Sequence, residues 1–144
     1  MPTRKASARW EGGLKGGKGS FTGESKAIGG QYSFSSRFEE GVGSNPEELL
    51  AAAEAACYSM ALSGALEKNG TVPTSIDTEA ACTVGPVEGG FAITNIHLVV
   101  NAAVPGIDNA KFQELASATL SGCPVSKALR GNVKLTFEAR LGSG

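Results

Sequence analysis

The chain has 144 residues, with 13 Lys and Arg against 14 Asp and Glu, a net charge of −1 at pH 7 and 41% hydrophobic residues. Roughly 68–70% of the extended surface of a chain this long leaves water on folding, so a core forms without staples. The near-neutral balance argues against a nucleic-acid or membrane-surface binder, and both are excluded as expected partners.

Gly, at 20 residues, is about twice its usual share and predicts many turns. The opening MPTRKASARW has no apolar h-region or small-residue cleavage site. No run approaches about 18 uninterrupted apolar residues, so no membrane span is expected. The expected location is cytoplasmic, where structural disulfides are rare.

Residues 3–11, 18–25 and 31–38 read as short strands separated by the Gly-rich turns GGLKGG and IGG. They predict a small antiparallel sheet. Gly12 to Lys18 fits the GxxxxGK start of a phosphate-binding loop. Gly19, however, stands where Ser or Thr should follow, and Phe21-Thr22 continues as strand. Without the hydroxyl and the helix N-terminus a phosphate has little to bind, so a hairpin loop is the better reading.

SNPEELLAAAEAACYSMALSGALEKNG is the strongest local signal. Asn45 suits N-cap, Pro46 suits N1, and Glu48 at N3 completes an Asn-variant capping box. Asn69-Gly70 is a left-handed stop after Lys68. The helix between them is about 24 residues and about 36 Å long. Its middle is rich in Ala, Ser and Gly, with Cys57 near the centre. Such small residues allow another element, expected to be a helix, to cross closely.

Residues 74–84 and 90–104 read as strands joined through Gly85-Pro86 and Gly89-Gly90. Ala92, Ile96, Leu98, Val100 and Ala102 share one face of the second, and His97 lies on the mixed face as an ordinary solvent-side residue. A helix from about Asp108 aligns Phe112, Leu115, Ala116 and Leu120. Cys123-Pro124 and a short helical turn, Val125 to Leu129, come next. A last strand runs from Val133 to Arg140. The expected fold class is α+β: one domain over 1–144, with antiparallel sheets packed around a long central helix.

Three cysteines, Cys57, Cys82 and Cys123, and one histidine, His97, are scattered without a CxxC pair, so a zinc site is not expected. An isolated cysteine in an Ala-rich helix is ordinarily a small buried hydrophobe. Cys123 differs, since it falls at the N-cap of a short helix with Lys127 close behind, and both features favour a thiolate. Cys57 lies mid-helix among apolar neighbours that raise its pKa, so its reactivity requires an imported cation. Arg37, at the end of the third strand, is one candidate, although spacing does not choose it over other basic residues.

SSRFEEGVGSNPEELLAAAEAACYSMAL, followed 66 residues after Cys57 by SGCPVSKAL, resembles the OsmC/Ohr family of osmotically inducible and organic-hydroperoxide-resistance proteins. The likeness is strongest to the OsmC branch. It extends through ARWEGGLKGGKG, PTSIDTEA, GFAITNIHL and VPGID, over nearly the whole chain. The resemblance implies an intertwined homodimer and a thiol-dependent peroxidase acting on organic hydroperoxides. Cys57 corresponds to the peroxidatic cysteine, Cys123 to the resolving cysteine, Arg37 to the activating arginine and Glu47 to its carboxylate partner. A dihydrolipoyl protein is the implied dithiol reductant, and no metal, flavin or haem cofactor is implied.

Glu47 and Cys57 are ten residues apart on one helix, hence about 15 Å along its axis and on different faces. If both serve one peroxide, a second subunit must bring Glu47 alongside. Glu47 has a plainer role as a first-turn acid complementing the helix dipole. Cys82 has no place in the family scheme and reads as a packed or half-exposed thiol. Glu54, one turn before Cys57, would oppose thiolate formation unless it pairs with a basic group or points away.

An apolar site around Cys57 would favour alkyl and aryl hydroperoxides, and Phe38, Met60 and Phe112 are the expected lining, with core filling as the alternative. A redox-sensing or stress-associated binding protein using the same cysteines without turnover is the second functional reading. A structural protein with inert thiols is the third.

Overall fold

The computed structural model describes residues 1–142 of the chain. They divide into two compact units, Met1–Leu49 and Leu50 onwards. In the first unit, β1 (Ala6–Glu11), β2 (Lys18–Gly23) and β3 (Gly29–Tyr32) form an antiparallel sheet in chain order. Residues 12–17 are the β1–β2 hairpin loop, with Glu11 opposite Lys18. Gly19 lies opposite both Trp10 and Tyr32, whose ring centroids are 5.5 Å apart. A Cβ at Gly19 would come within 2.6 Å of Tyr32 and 2.7 Å of Trp10. Only glycine lets the two rings meet over this strand.

The third predicted strand is corrected. It stops at Tyr32, and Phe34–Phe38 form a short helix, α1, with Arg37 in its last turn. The reason is a reciprocal cap: the Ser36 N–H donates to Ser33 Oγ, and the Ser33 N–H donates to Ser36 Oγ. Ser36 Oγ also reaches the Ser44 carbonyl at 2.8 Å, and Asn45 Nδ2 donates to the Ser36 carbonyl at 3.0 Å. These bonds tie α1 to the start of the long helix.

That helix, α2 (Pro46–Lys68), begins in the first unit and continues into the second. Asn45 Oδ1 accepts the Glu48 N–H as expected. The Glu48 carboxylate takes the Ser44 hydroxyl instead of closing the box. At the other end Gly70 adopts φ +83. The Gly70 N–H donates to the Glu67 carbonyl and the Thr71 N–H to the Leu66 carbonyl, which is a Schellman stop. By length and composition α2 could cross a membrane. The chain uses its apolar side chains in packing: Tyr58, Leu62 and Leu66 are fully buried against the second sheet.

That sheet has the order β4-β5-β6, from β4 (Ser75–Val87), β5 (Gly90–Ala103) and β6 (Lys134–Gly142). β4 runs through Gly85-Pro86, where the sequence suggests a break, and turns only at Glu88-Gly89. An edge strand tolerates proline because its outer N–H has no partner to lose. Ile96, Leu98, Val100 and Ala102 of β5 are buried as the alternation predicts. Between β5 and β6 lie α3 (Asn109–Gly122), capped by Asp108, and α4 (Pro124–Leu129).

The expectation of antiparallel sheets holds for β1–β3 and for β4–β5, but β6 lies parallel to β5. Parallel neighbours need a crossover of a dozen or more residues, and the stretch carrying α3 and α4 supplies it. The architecture is α+β, with two sheets and one long helix.

Leu98 sits at the centre of the second unit's core with no exposed surface. Leu98→Ala is expected to destabilise that unit by about 2–5 kcal/mol. Val72→Ala, at a 64% exposed position, should change stability by no more than about 0.5 kcal/mol. Urea midpoints at unchanged slope measure both, and equal midpoints for the two variants would contradict this core.

Candidate functional site

Each unit carries one pair of chemically notable side chains. In the first, Arg37 projects from the last turn of α1 and Glu47 from the first turn of α2. Arg37 Nη2 lies 2.9 Å and Nε 3.1 Å from Glu47 Oε1, and Nε is 3.3 Å from Oε2. The guanidinium turns one edge of its planar fork, the Nε–H and an Nη2–H, to one carboxylate, a geometry lysine cannot reproduce. Glu47 is only 5% exposed, so the carboxylate depends on this partner, since a buried charge without one is costly. The guanidinium also lies 5.1 Å from the centre of the Phe38 ring. Its outer face is open, with the side chain 38% exposed.

In the second unit, Cys57 on α2 and Cys123 at the junction of α3 and α4 meet, although 66 residues separate them. Cys123 Sγ–H donates to Cys57 Sγ at a sulfur–sulfur distance of 2.8 Å. Cys123 is buried and Cys57 half-buried. Cys123 also caps α4 without a side-chain capping bond, and Pro124 opens that helix, so its sulfur is free to turn to α2. The Cys57 thiol is pushed above its ordinary value, first by burial, then by its hydrogen bond to Cys123, and less by the charges of Cys123 and Glu54. A backbone hydrogen bond from Val125 acts in the opposite direction. None of these influences is a cation.

Glu54 neither points away nor finds a basic group. It is fully buried one turn before Cys57, and its Oε1 accepts the Ser126 hydroxyl. Ser126, on α4, is a residue that sequence reasoning missed. Its signal was its place three residues after Cys123, mirroring Glu54 three residues before Cys57. Tyr58, beside Cys57 in the chain, donates its hydroxyl to the Ala116 carbonyl of α3 at 2.9 Å. Its phenol is raised well above its ordinary value, by burial first.

Phe112, expected to line a substrate pocket, has no exposed surface and fills the core with Leu98 and Ala116. Its place on the inward face of α3 leaves it no route to a ligand in the single chain. Met60 is 80% exposed on α2. Phe38 is half-buried against Phe34, at a ring separation of 5.1 Å. Cys82 is half-buried on β4, packed against the core. His97 is half-buried and hydrogen-bonded through Nδ1 to Thr136 Oγ1 at 2.7 Å, across the β5–β6 pair. No metal-binding cluster of three or more His, Cys, Asp or Glu occurs among the described residues. At the start of α2 a hollow of about 150 Å³ is lined by Ala8, Phe21, Tyr32, Asn45, Pro46 and Leu49. Apart from Asn45 and the Tyr32 hydroxyl these side chains are apolar.

A family model described as OsmC-like protein matches residues 39–138, a span that includes Glu47 and both cysteines of the contact. The chain belongs to the OsmC-like family. It is 46% identical over 138 residues to the peroxiredoxin OsmC of Escherichia coli K12, covering 95% of this chain and 96% of that protein. It is 40% identical over 99 residues to the organic hydroperoxide resistance protein OhrB of Bacillus subtilis, covering 68% of this chain and 71% of that protein. The crystal structure of that OhrB superposes with a TM-score of 0.77 at 32% identity, covering 96% of this chain and 98% of the other. The match to OsmC thus exceeds the match to OhrB in both identity and length, as the motifs of this OsmC-like chain predict.

The thiol shift has a measurable sign. Because the Cys57 pKa is raised, its thiolate is scarce at neutral pH and appears only as pH climbs through the raised value. Cys123→Ala removes two of the influences that raise it. In a Cys82→Ser background, peptide-resolved iodoacetamide alkylation of Cys57 should shift to lower pH when Cys123→Ala is added. A profile that stays in place or moves to higher pH would contradict the pairing.

Proposed function

We propose that this OsmC-like protein is a thiol-dependent peroxidase that reduces organic hydroperoxides to alcohols and is recycled by a dithiol. The observation that carries the reading is the 2.8 Å contact between Cys57 and Cys123. Its family relatives named peroxiredoxin and organic hydroperoxide resistance protein point the same way.

The Cys57 thiolate attacks the outer oxygen of ROOH. The O–O bond breaks, ROH leaves after taking up a proton, and Cys57 becomes a sulfenic acid. The Cys123 thiolate then attacks the Cys57 sulfur, forming the disulfide and releasing water. A dithiol such as a dihydrolipoyl group reduces that bond by exchange and leaves as the cyclic disulfide. Rapid resolution protects Cys57, since over-oxidation to sulfinic acid is irreversible here without a dedicated rescue enzyme.

The first step needs a cation, because Cys57 is held neutral by burial and by its partner sulfur. Arg37 has the right chemistry: an always-charged fork with its outer face open, oriented from behind by the buried Glu47 carboxylate. Glu47 and Cys57 lie on one continuous helix, ten residues or about 15 Å apart along its axis. That spacing supports a homodimer in which the Arg37–Glu47 pair of one subunit serves Cys57 of the other. Phe38, under the guanidinium, and the exposed Met60 are then apolar groups for an alkyl or aryl tail. Each Å² of tail buried contributes roughly 25 cal/mol, from which hydrogen peroxide gains nothing. The chemistry uses no metal, flavin or haem, and suits the reducing cytoplasm, where dithiols keep the pair cycling.

Cys57→Ser is expected to abolish consumption of cumene hydroperoxide, while Cys123→Ser should react once and stall as the Cys57 sulfenic acid, which a second equivalent of peroxide carries to sulfinic acid, both read by mass spectrometry. With dihydrolipoamide the native protein should turn over many equivalents, at a kcat/KM at least about tenfold above that for hydrogen peroxide. A single equivalent consumed per subunit would favour the sensing role instead.

Arg37→Ala should slow the peroxide step by at least about tenfold, the rate equivalent of one pKa unit of lost thiolate. Mixing Cys57→Ser subunits, inactive alone, with Arg37→Ala subunits, slow alone, should restore one site of native rate per heterodimer. No restoration after verified exchange would mean that each site uses its own chain's arginine.

A further inference from the structure

Glu54 stands in an unusual position. The inward stripe of α2 has the i, i+4 spacing Glu54, Tyr58, Leu62, Leu66, and all four side chains have no exposed surface. Three are core residues and the fourth is a carboxyl. Glu54 Oε1 accepts the Ser126 hydroxyl, whereas Oε2 is buried without a hydrogen-bond partner among the described residues. A buried polar group left half-satisfied is costly, because it gives up water without a full set of partners. An apolar residue would fill this position at no such cost, so stability alone does not explain a carboxyl here.

The geometry of its bond offers an explanation. Glu54 precedes Cys57 by three residues on α2, and Ser126 follows Cys123 by three on α4. Residues three apart on a helix lie on neighbouring parts of one face. The bond therefore joins the two helices one turn from the place where their sulfurs meet. Ser126 is itself fully buried, so water does not compete for its hydroxyl. α4 has only six residues and its N-cap cysteine makes no capping bond, so little within α4 itself fixes its first turn.

We propose that Glu54 is a positioning residue for the resolving step, acting through Ser126 to hold α4 so that the Cys123 sulfur faces Cys57. This deepens the cysteine-pair reading and rests on it. When Cys57 is oxidised, its sulfur acquires an oxygen and Cys123 must still reach it from behind. The Glu54–Ser126 bond keeps α4 docked through that change. In the step itself Cys57–SOH and Cys123–SH become one disulfide and one water. Glu54 and Ser126 exchange no atoms in it.

The test compares Ser126→Ala, which removes the donor, with Ser126→Thr and Glu54→Gln, which keep a hydroxyl and an acceptor oxygen. All are made in the Cys82→Ser background. One equivalent of cumene hydroperoxide is added, and disulfide closure is followed by quenched thiol counting and mass spectrometry. Ser126→Ala should oxidise Cys57 as fast as the parent but close the disulfide at least about tenfold more slowly, with sulfinic acid accumulating under excess peroxide. Ser126→Thr and Glu54→Gln should close within about threefold of the parent. A side chain that only stabilised the fold would lower the urea midpoint and leave this partition unchanged.

Closure at the parent rate in Ser126→Ala overturns the proposal, as does Glu54→Gln closing as slowly as Ser126→Ala. Should Ser126→Ala not fold, Glu54→Leu breaks the same bond with a side chain of similar volume, and the rate is read there. Diamide forms the same disulfide without peroxide. Cys57 adds to the diazene, Cys123 displaces the hydrazine, and the two thiol protons end on its nitrogens. A parent that closes with diamide but ignores peroxide would overturn the peroxidase reading, and the same variants in diamide would still decide the role of Glu54.

Discussion

The burial of one stripe of α2 against the second sheet governs most of the geometry of the second unit. Tyr58, Leu62 and Leu66 are spaced one turn apart and meet Ile96, Leu98 and Val100 of the central strand β5. Each fully buried side chain of this size contributes about 1.5–3 kcal/mol, so the rotation of α2 about its axis has little freedom. With that rotation set, Glu54 must point inward and Cys57 must sit at the stripe's edge, half in solvent. A helix turned by a few tens of degrees would bury Cys57 beyond reach or leave Glu54 in water.

The second constraint is the crossover from β5 to β6. Because β6 joins β5 in parallel, the chain must return the length of the sheet, and it does so through α3 and α4. Phe112 and Ala116 pack α3 onto the same core that holds α2. Tyr58 adds a hydrogen bond to the Ala116 carbonyl. The end of α3 therefore comes back to the middle of α2, and Cys123 arrives at Cys57 from 66 residues away. The buried parts of the contact (Cys123, Ser126 and Glu54) all belong to this closure.

The two notable pairs divide the chemistry by environment. Burial, and then the contact with Cys123, keep the proton on the Cys57 sulfur. Arg37 and Glu47 form a forked ion pair with the carboxylate inside and the guanidinium open on one side. A buried carboxylate holding an arginine restricts the cation to one orientation, while a solvent-exposed pair would contribute little. Charge is thus held on a rigid group in the first unit, while the Cys57 thiol of the second is held neutral.

Local signals in the sequence determined much of this on their own. Asn45, Pro46 and the Asn69-Gly70 stop bound α2 because caps act within a turn of their own position, and strand alternation in β5 named its buried face for the same reason. The motifs around Cys57 and Cys123 identified the family before any coordinates, since they occur in order across nearly the whole chain. Where local signals misled, a short-range bond or a long-range pairing decided. Ser33 and Ser36 capped a helix inside an apparent strand, and β6 chose a parallel neighbour that no alternation pattern encodes. Phe112 has the same periodic spacing whether it faces a core or a ligand, and only the packing of α3 into the second unit's core assigned it there. Glu54 shows the limit most clearly. Its sequence neighbours suggested a charge that either meets a basic group or points away, but its partner is a serine 72 residues away. Periodicity gives the face on which a side chain lies, whereas the group it meets there depends on which distant segment the fold brings to that face.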